Sequence, residues 1–202
     1  VFGVVFQARW EGAIQNKSQF ALVIFCGLLC FNIFAESVGR APTSLASNPN
    51  YVKKVVFPIE IVPITLVLSS LVNALIALFV LMVAELFVAG SIPLTILLFP
   101  VVILPLLLVS LGVSWFLASL GIYIKDVVHV VPVVISALMF LSPIFYPISA
   151  IPEKIRFLFL LNPLGNIIEN TRRIAVLGMQ PDWTWIALST LSGALVCIAG
   201  YV

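Results

Sequence analysis

Charged residues divide this chain into long apolar stretches. No formal charge falls within residues 18–35, 61–84 or 86–124, and 127–152 carries none apart from His129. The stretch 183–202 is also uncharged. A helix that crosses a bilayer needs about 20 apolar residues, because unpaired backbone is too costly in hydrocarbon. Residues 86–124 are too many for one crossing, and Gly90, Ser91 and Pro93 mark a turn near the start of that run. The pattern therefore predicts spans at 18–36, 59–86, 94–122, 127–148 and 183–202, preceded by the tail of an earlier one at 1–8.

Two stretches break the rhythm. Residues 37–58 are polar and rich in turn formers, with Pro42, Asn48, Pro49 and Asn50, and lead through Lys53 and Lys54 to Pro58. They are long enough for a short helix lying on the membrane surface. Residues 150–178 mix charge with apolar runs too short to span. Asn162-Pro163 reads as a helix cap followed by proline at the first helical position, and Gly178 as a stop. Two short helices meeting at Asn162-Pro163 and dipping into the membrane from one side are expected here. Glu169 stands three and four residues before Arg172 and Arg173, a spacing that pairs charges along the second of them.

Composition fixes the solvent. The chain is 62% hydrophobic and 9% charged, against roughly 25% charged in a soluble domain. So little charge cannot cover a water-exposed surface, and an all-α integral membrane protein follows. The net charge of +2 is too small to suggest nucleic acid as a partner. Cys26, Cys30 and Cys197 all lie in apolar runs and read as small packing residues; no metal-ligand spacing accompanies them. The chain opens on Val1 and closes on Val202 inside apolar runs, without a cleavable signal, and reads as lacking residues at both ends. Charge bias leaves orientation open. Arg40, Lys53, Lys54 and Lys125 fall on one side, whereas Arg9 and Lys17 fall on the other together with the basic residues of the re-entrant stretch.

Nothing in the sequence suggests catalysis. His129 has only Asp126 nearby, and no phosphate-binding GxxxxGK[ST] loop is present, so any ATP hydrolysis belongs to another chain. Other residues invite two readings each. Phe20, Gly27, Phe31 and Phe34 share one helical face, and His129, Ser136, Phe140 and Pro143 share another. Such faces suit stacking on sugar rings, or packing against lipid and neighbouring helices. Thr65, Ser69 and Asn73 sit four apart and read as interhelical hydrogen-bond glue. Glu85 is placed close enough to the Gly90 turn to reach the interface, and Trp183 and Trp185 read as interfacial anchors. Pro132, Pro143 and Pro147 predict a kinked helix beside the re-entrant pair, which suggests a gate.

Several segments in order carry a resemblance: Asn32 to Ser37 (NIFAES), Asn48 to Pro58 (NPNYVKKVVFP), Leu120 to Asp126 (LGIYIKD), Leu141 to Pro147 (LSPIFYP) and Leu161 to Leu164 (LNPL). Together they resemble the permease subunits of polysaccharide-exporting ABC transporters, the O-antigen, capsule and teichoic-acid exporters. The resemblance implies a multi-pass protein of the bacterial inner membrane, with six membrane helices and both termini cytoplasmic. The first and sixth helices would be incomplete here, and the amphipathic helix expected before the first would be missing. It further implies a homodimer working with two nucleotide-binding subunits, which hold ATP and Mg; no cofactor is expected in this chain. A cytoplasmic coupling loop at 37–58 would present Arg40, Asn48, Tyr51, Lys53, Lys54 and Phe57 to those subunits. Lys53 and Lys54 could instead hold the loop on anionic headgroups. The pair at 150–178 would form a periplasmic gate containing Asn162, Pro163, Glu169, Arg172 and Arg173. The two arginines would meet diphosphate or acidic sugars, or would remain on the gate-helix surface paired with Glu169. Phe20, Phe31, Phe34, Phe140, Phe145 and Tyr146 become candidate lining of the path for a polymer carried on undecaprenyl diphosphate. Three alternatives remain: an exporter of a drug, lipid or other small amphiphile, a membrane scaffold of polysaccharide synthesis, and a secondary transporter.

Overall fold

A computed structural model describes residues 17–45, 58–145 and 163–201. Among these residues there are six α-helices and no sheet: α1 (Lys17–Ser44), α2 (Ile61–Ala89), α3 (Phe99–Tyr123), α4 (Val127–Leu141), α5 (Pro163–Ala175) and α6 (Trp183–Tyr201). A 3-10 turn, Leu94–Leu98, runs directly into α3. Four of the described helices, α1, α2, α3 with its 3-10 turn, and α6, are long and apolar enough to cross a membrane.

Helix α1 is the centre of the bundle, packing against α2, α3, α4 and α5. It does not stop where the polar segment begins. It continues through Glu36 to Ser44 with Pro42 inside it, so Arg40 stands on a helix rather than in a loop. The continuation follows from packing. Ala41 and Pro42 are buried, and a Cβ on Gly121 of α3 would overlap the Pro42 carbonyl. Absence of a side chain at Gly121 lets the two backbones touch, and that contact holds the last turns of α1 despite the proline. Residues 46–57 lie outside the described residues, as do 1–16.

Helix α2 ends at Gly90, whose φ of 74° is the left-handed cap that glycine adopts without a Cβ penalty. Helix α4 is shorter than the span expected at 127–148. It ends at Leu141 after 15 residues, about 22 Å of rise. Pro143 disfavours helical geometry in the residue before it, and Ser142 is extended at ψ 144°. The chain then turns inward, burying Ser142, Pro143 and Ile144.

The α3–α6 pairing is the most extensive in the bundle and rests on missing side chains. A Cβ on Gly112 would overlap the Val196 carbonyl, one on Gly200 would overlap the Gly112 carbonyl, and one on Gly193 would come within 2.9 Å of the Pro105 carbonyl. Helices in lipid gain no hydrophobic drive from meeting each other, so close backbone approach supplies the dispersion that holds them. Trp115 closes the far end of the seam, edge-on to Tyr201 at 5.2 Å and donating its indole N–H to the Glu60 carbonyl at 2.9 Å. We expect Gly112→Leu to destabilise the protein by about 3 kcal/mol or more, because the overlapped atoms are backbone and cannot repack. Thermal unfolding in detergent should show a clear drop for G112L and little change for an exposed lipid-face variant such as L191A.

Candidate functional site

The amphipathic α5 is wedged into the bundle at the end opposite the α1–α2 connection. Its apolar residues Leu164, Ile167, Ile168 and Ile174 are buried, and Thr95 donates to the Ile174 carbonyl at 2.7 Å. Thr171 sits at the α1 contact, where the Cys30 thiol donates to its hydroxyl at 3.3 Å.

Arg172 lies deepest. Its side chain is 1% exposed. Nη2 donates to the Ile144 carbonyl at 2.6 Å and Nε to the Val23 carbonyl of α1 at 3.2 Å. Nη1 faces the Glu169 carboxylate at 3.6 Å. The guanidinium therefore ties three elements together: α5, the start of α1, and the turn that ends α4. Gly27 makes room for it, since a Cβ there would stand 3.0 Å from Nη2 and 3.4 Å from the Ile144 side chain. A planar fork of fixed N–H donors suits this role, because it can serve divergent carbonyls at once, which a lysine ammonium does less well.

A second polar cluster docks α6 on α5. The Asp182 backbone N–H donates to Asn170 Oδ1 at 2.7 Å. The Asp182 carboxylate accepts the Thr184 hydroxyl at 2.6 Å and the Trp185 N–H at 3.5 Å, capping α6. Arg173 stands 4.0 Å from the same carboxylate. The Thr184 hydroxyl above all, then the backbone N–H groups and Arg173, hold this carboxyl below its ordinary range.

The family model of ABC-2 type transporters matches residues 1–175. The chain belongs to the ABC-2 type transporter family. It is 29% identical over 191 residues to the O-antigen export system permease protein RfbA of Myxococcus xanthus, covering 93% of this chain and 74% of that protein. To the protein of the same name from Klebsiella pneumoniae it is 26% identical over 202 residues, covering 99% and 76%. The polysialic acid transport protein KpsM of Escherichia coli is 25% identical over 190 residues, covering 90% and 72%. An ABC-2 permease is typically a non-catalytic transport subunit and works with an ATPase subunit.

Several residues of this ABC-2 permease stand elsewhere than the sequence suggested. Arg172 is not on a surface where it could meet phosphate or sugar; burial among carbonyls makes it a clamp. Arg173 pairs with Asp182, not with Glu169. Phe20, Phe31 and Phe34 are 6%, 3% and 6% exposed, so these rings face the interior of the protomer and cannot stack on a passing sugar. Phe140, with His129 and Ser136, remains on an exposed face of α4, whereas Pro143 is buried and Phe145 is half-buried beside the clamp. Glu85 points into the bundle: it is 4% exposed, and its Oε2 accepts no hydrogen bond among the described residues. Pro163 begins α5. Asn48, Tyr51, Lys53, Lys54, Phe57, Tyr146 and Asn162 lie outside the described residues.

Sequence reading missed the clamp because a basic residue three positions from an acidic one looks like a surface pair. Gly27 on α1 was the available signal, a glycine inside a membrane helix at the level of α5. Replacing Arg172 by Met should cost about 3 kcal/mol, since the buried Ile144 carbonyl loses its donor and the stem loses packing. Glu169→Gln should cost less than Arg172→Met, because the glutamate side chain is 36% exposed and the glutamine amide oxygen can still accept from the guanidinium. Melting in detergent compares the two. A group whose folded pKa is depressed stabilises above its unfolded pKa and loses that contribution as pH falls through the folded value. Asp182→Asn should therefore lower the melting temperature at pH 7, and the gap from wild type should close as pH drops below about 3.9.

Proposed function

We propose that this chain is the permease subunit of an ABC exporter that moves polysaccharide of O-antigen type, linked to undecaprenyl diphosphate, across the bacterial inner membrane. The observation that carries the reading is similarity along 90–99% of the chain to permeases named for O-antigen and polysialic acid transport. Two copies would form the path, and two separate ATPase subunits, holding ATP and Mg, would drive it. The segment between α1 and α2 would face the cytoplasm and receive the ATPase stroke through Asn48, Tyr51, Lys53, Lys54 and Phe57. Helix α1, which extends to Ser44 and crosses the bundle to the Arg172 clamp, is a stiff lever suited to carry that movement. The α5 wedge would belong to the periplasmic gate. Phe140 would line the path together with Tyr146.

A second reading, export of a drug, lipid or other small amphiphile, is favoured by one feature. A mostly apolar groove of about 500 Å³ runs between α1, α3 and α4, lined by Val38, Phe116, Leu117, Val131 and Leu138 among others, with Asp126 at one end. It would suit the acyl chain of a small lipid.

Deletion of the full-length gene in its own host separates the possibilities. Under the exporter reading, surface polymer disappears and lipid-linked polymer accumulates at the inner membrane. Normal surface polysaccharide would reject this reading and favour the small amphiphile. Loss of polymer without internal accumulation would point to a scaffold of synthesis.

A further inference from the structure

The exposed face of α1 changes character along its length. Ala21 and Phe25 are exposed in its first half, followed one helical step at a time by Asn32, half-buried Glu36 and exposed Arg40. On α2, Thr65, Ser69 and Asn73 form a second exposed row at the same four-residue spacing. The rows meet where the Asn73 amide donates to both Glu36 oxygens, at 2.9 and 3.0 Å, and Arg40 reaches one of them at 3.4 Å. A cleft of about 280 Å³ opens there, with Asn32, Glu36, buried Ser70 and Asn73 in its wall. Asn32 and Ser69 make no side-chain hydrogen bond among the described residues. Asn73 lies about 18 Å along α2 from its Ile61 end, well inside the hydrocarbon thickness of about 30 Å.

The Asn73 amide and Glu36 carboxylate satisfy each other, but an exposed carboxylate–amide pair beside the unpartnered Asn32 amide and Ser69 hydroxyl cannot face lipid tails at that depth. Something polar must cover them. We propose that this double row, from Arg40 and Thr65 up to Asn32 and Asn73, lines the cytoplasmic half of a water-filled conduit and binds the hydroxyl groups of the glycan passing through it. The inference rests on the exporter reading above and names the surface that takes the cargo. Its chemistry favours neutral sugar over the lipid diphosphate. Carboxylate, amide and hydroxyl groups offer both acceptors and donors to sugar hydroxyls, whereas the one cation of the row, Arg40, is already paired with Glu36 and leaves no uncompensated positive charge for an anionic headgroup. Successive rungs rise about 6 Å. A sliding chain therefore exchanges one set of hydrogen bonds for the next without being trapped at a single strong site.

The test uses the full permease with its ATPase subunit. Inside-out membrane vesicles carrying N73C or S69C are treated with a membrane-impermeant thiol reagent. S91C, in the exposed turn after α2, serves as the labelled control from right-side-out cells. Labelling at 69 and 73 is expected, and it should fall severalfold in membranes from cells that make the polymer relative to cells blocked in its synthesis. In parallel, Ser69→Leu should cut surface polymer severalfold at unchanged membrane abundance, and Glu36→Gln should cut it about tenfold, the value of one charge-assisted hydrogen bond. Absence of labelling together with cross-linking of N73C to a second copy would make the rows a dimer seam and overturn the proposal. Equal labelling with and without polymer, or full export by S69L, would overturn it too. These results differ from failure of the exporter reading itself, in which gene deletion leaves surface polymer normal.

Discussion

The fold depends on one buried cation. Arg172 binds the Val23 and Ile144 carbonyls and faces Glu169, and so holds three elements that sequence alone does not join. A guanidinium inside a membrane protein is tolerated only where each face finds a partner. Three features of the fold meet that requirement: Gly27 opens space on α1, Pro143 stops α4 early, and the turn at Ser142 delivers the Ile144 carbonyl. Without the clamp, α5 would keep its apolar contacts but lose the groups that fix its depth and orientation.

Small residues complement the clamp elsewhere. Gly112, Gly193 and Gly200 bring α3 and α6 into backbone contact, and Gly121 does the same for α3 and the last turns of α1. Helix α1 is thereby held near both ends, by a charge at one and by close packing at the other. An element fixed in this way at both ends moves as a unit. Helix α4 is the contrast. Among its residues only Val131 is buried, and much of its surface is left exposed.

Much of the architecture was legible in the sequence. The turn residues Gly90 and Pro93, the proline at the start of α5 and the runs of uncharged residues mark element ends by local geometry and by the cost of charge in lipid. Two boundaries were misplaced, each for a tertiary reason. The polar composition after Glu36 suggested a loop, but Gly121 packs against Pro42 and keeps the helix going. The apolar run to residue 148 suggested a full span, but burial of the Ser142–Ile144 turn shortens α4. Side-chain direction was less legible. Phe20, Phe31 and Phe34 share a face as periodicity requires, yet that face looks inward. Thr65, Ser69 and Asn73 suggested contact between helices; only Asn73 makes one, and the row as a whole looks outward.

The sequence by itself determined that this chain lives in lipid, that α1, α2, α3 and α6 are long and apolar enough to cross it, and which family it resembles. Those properties follow from composition and from backbone hydrogen bonding, which are the same whichever way a helix is turned. Only the tertiary structure decided which faces turn inward. In a soluble protein the apolar stripe marks the core, but in a membrane both the core and the lipid-facing surface are apolar, so hydrophobic periodicity does not orient a helix. Orientation came instead from scarce features: a glycine under a guanidinium, glycines against carbonyls, and one carboxylate paired with one amide. Their meaning depends on what stands opposite them, and that is fixed only when the helices pack.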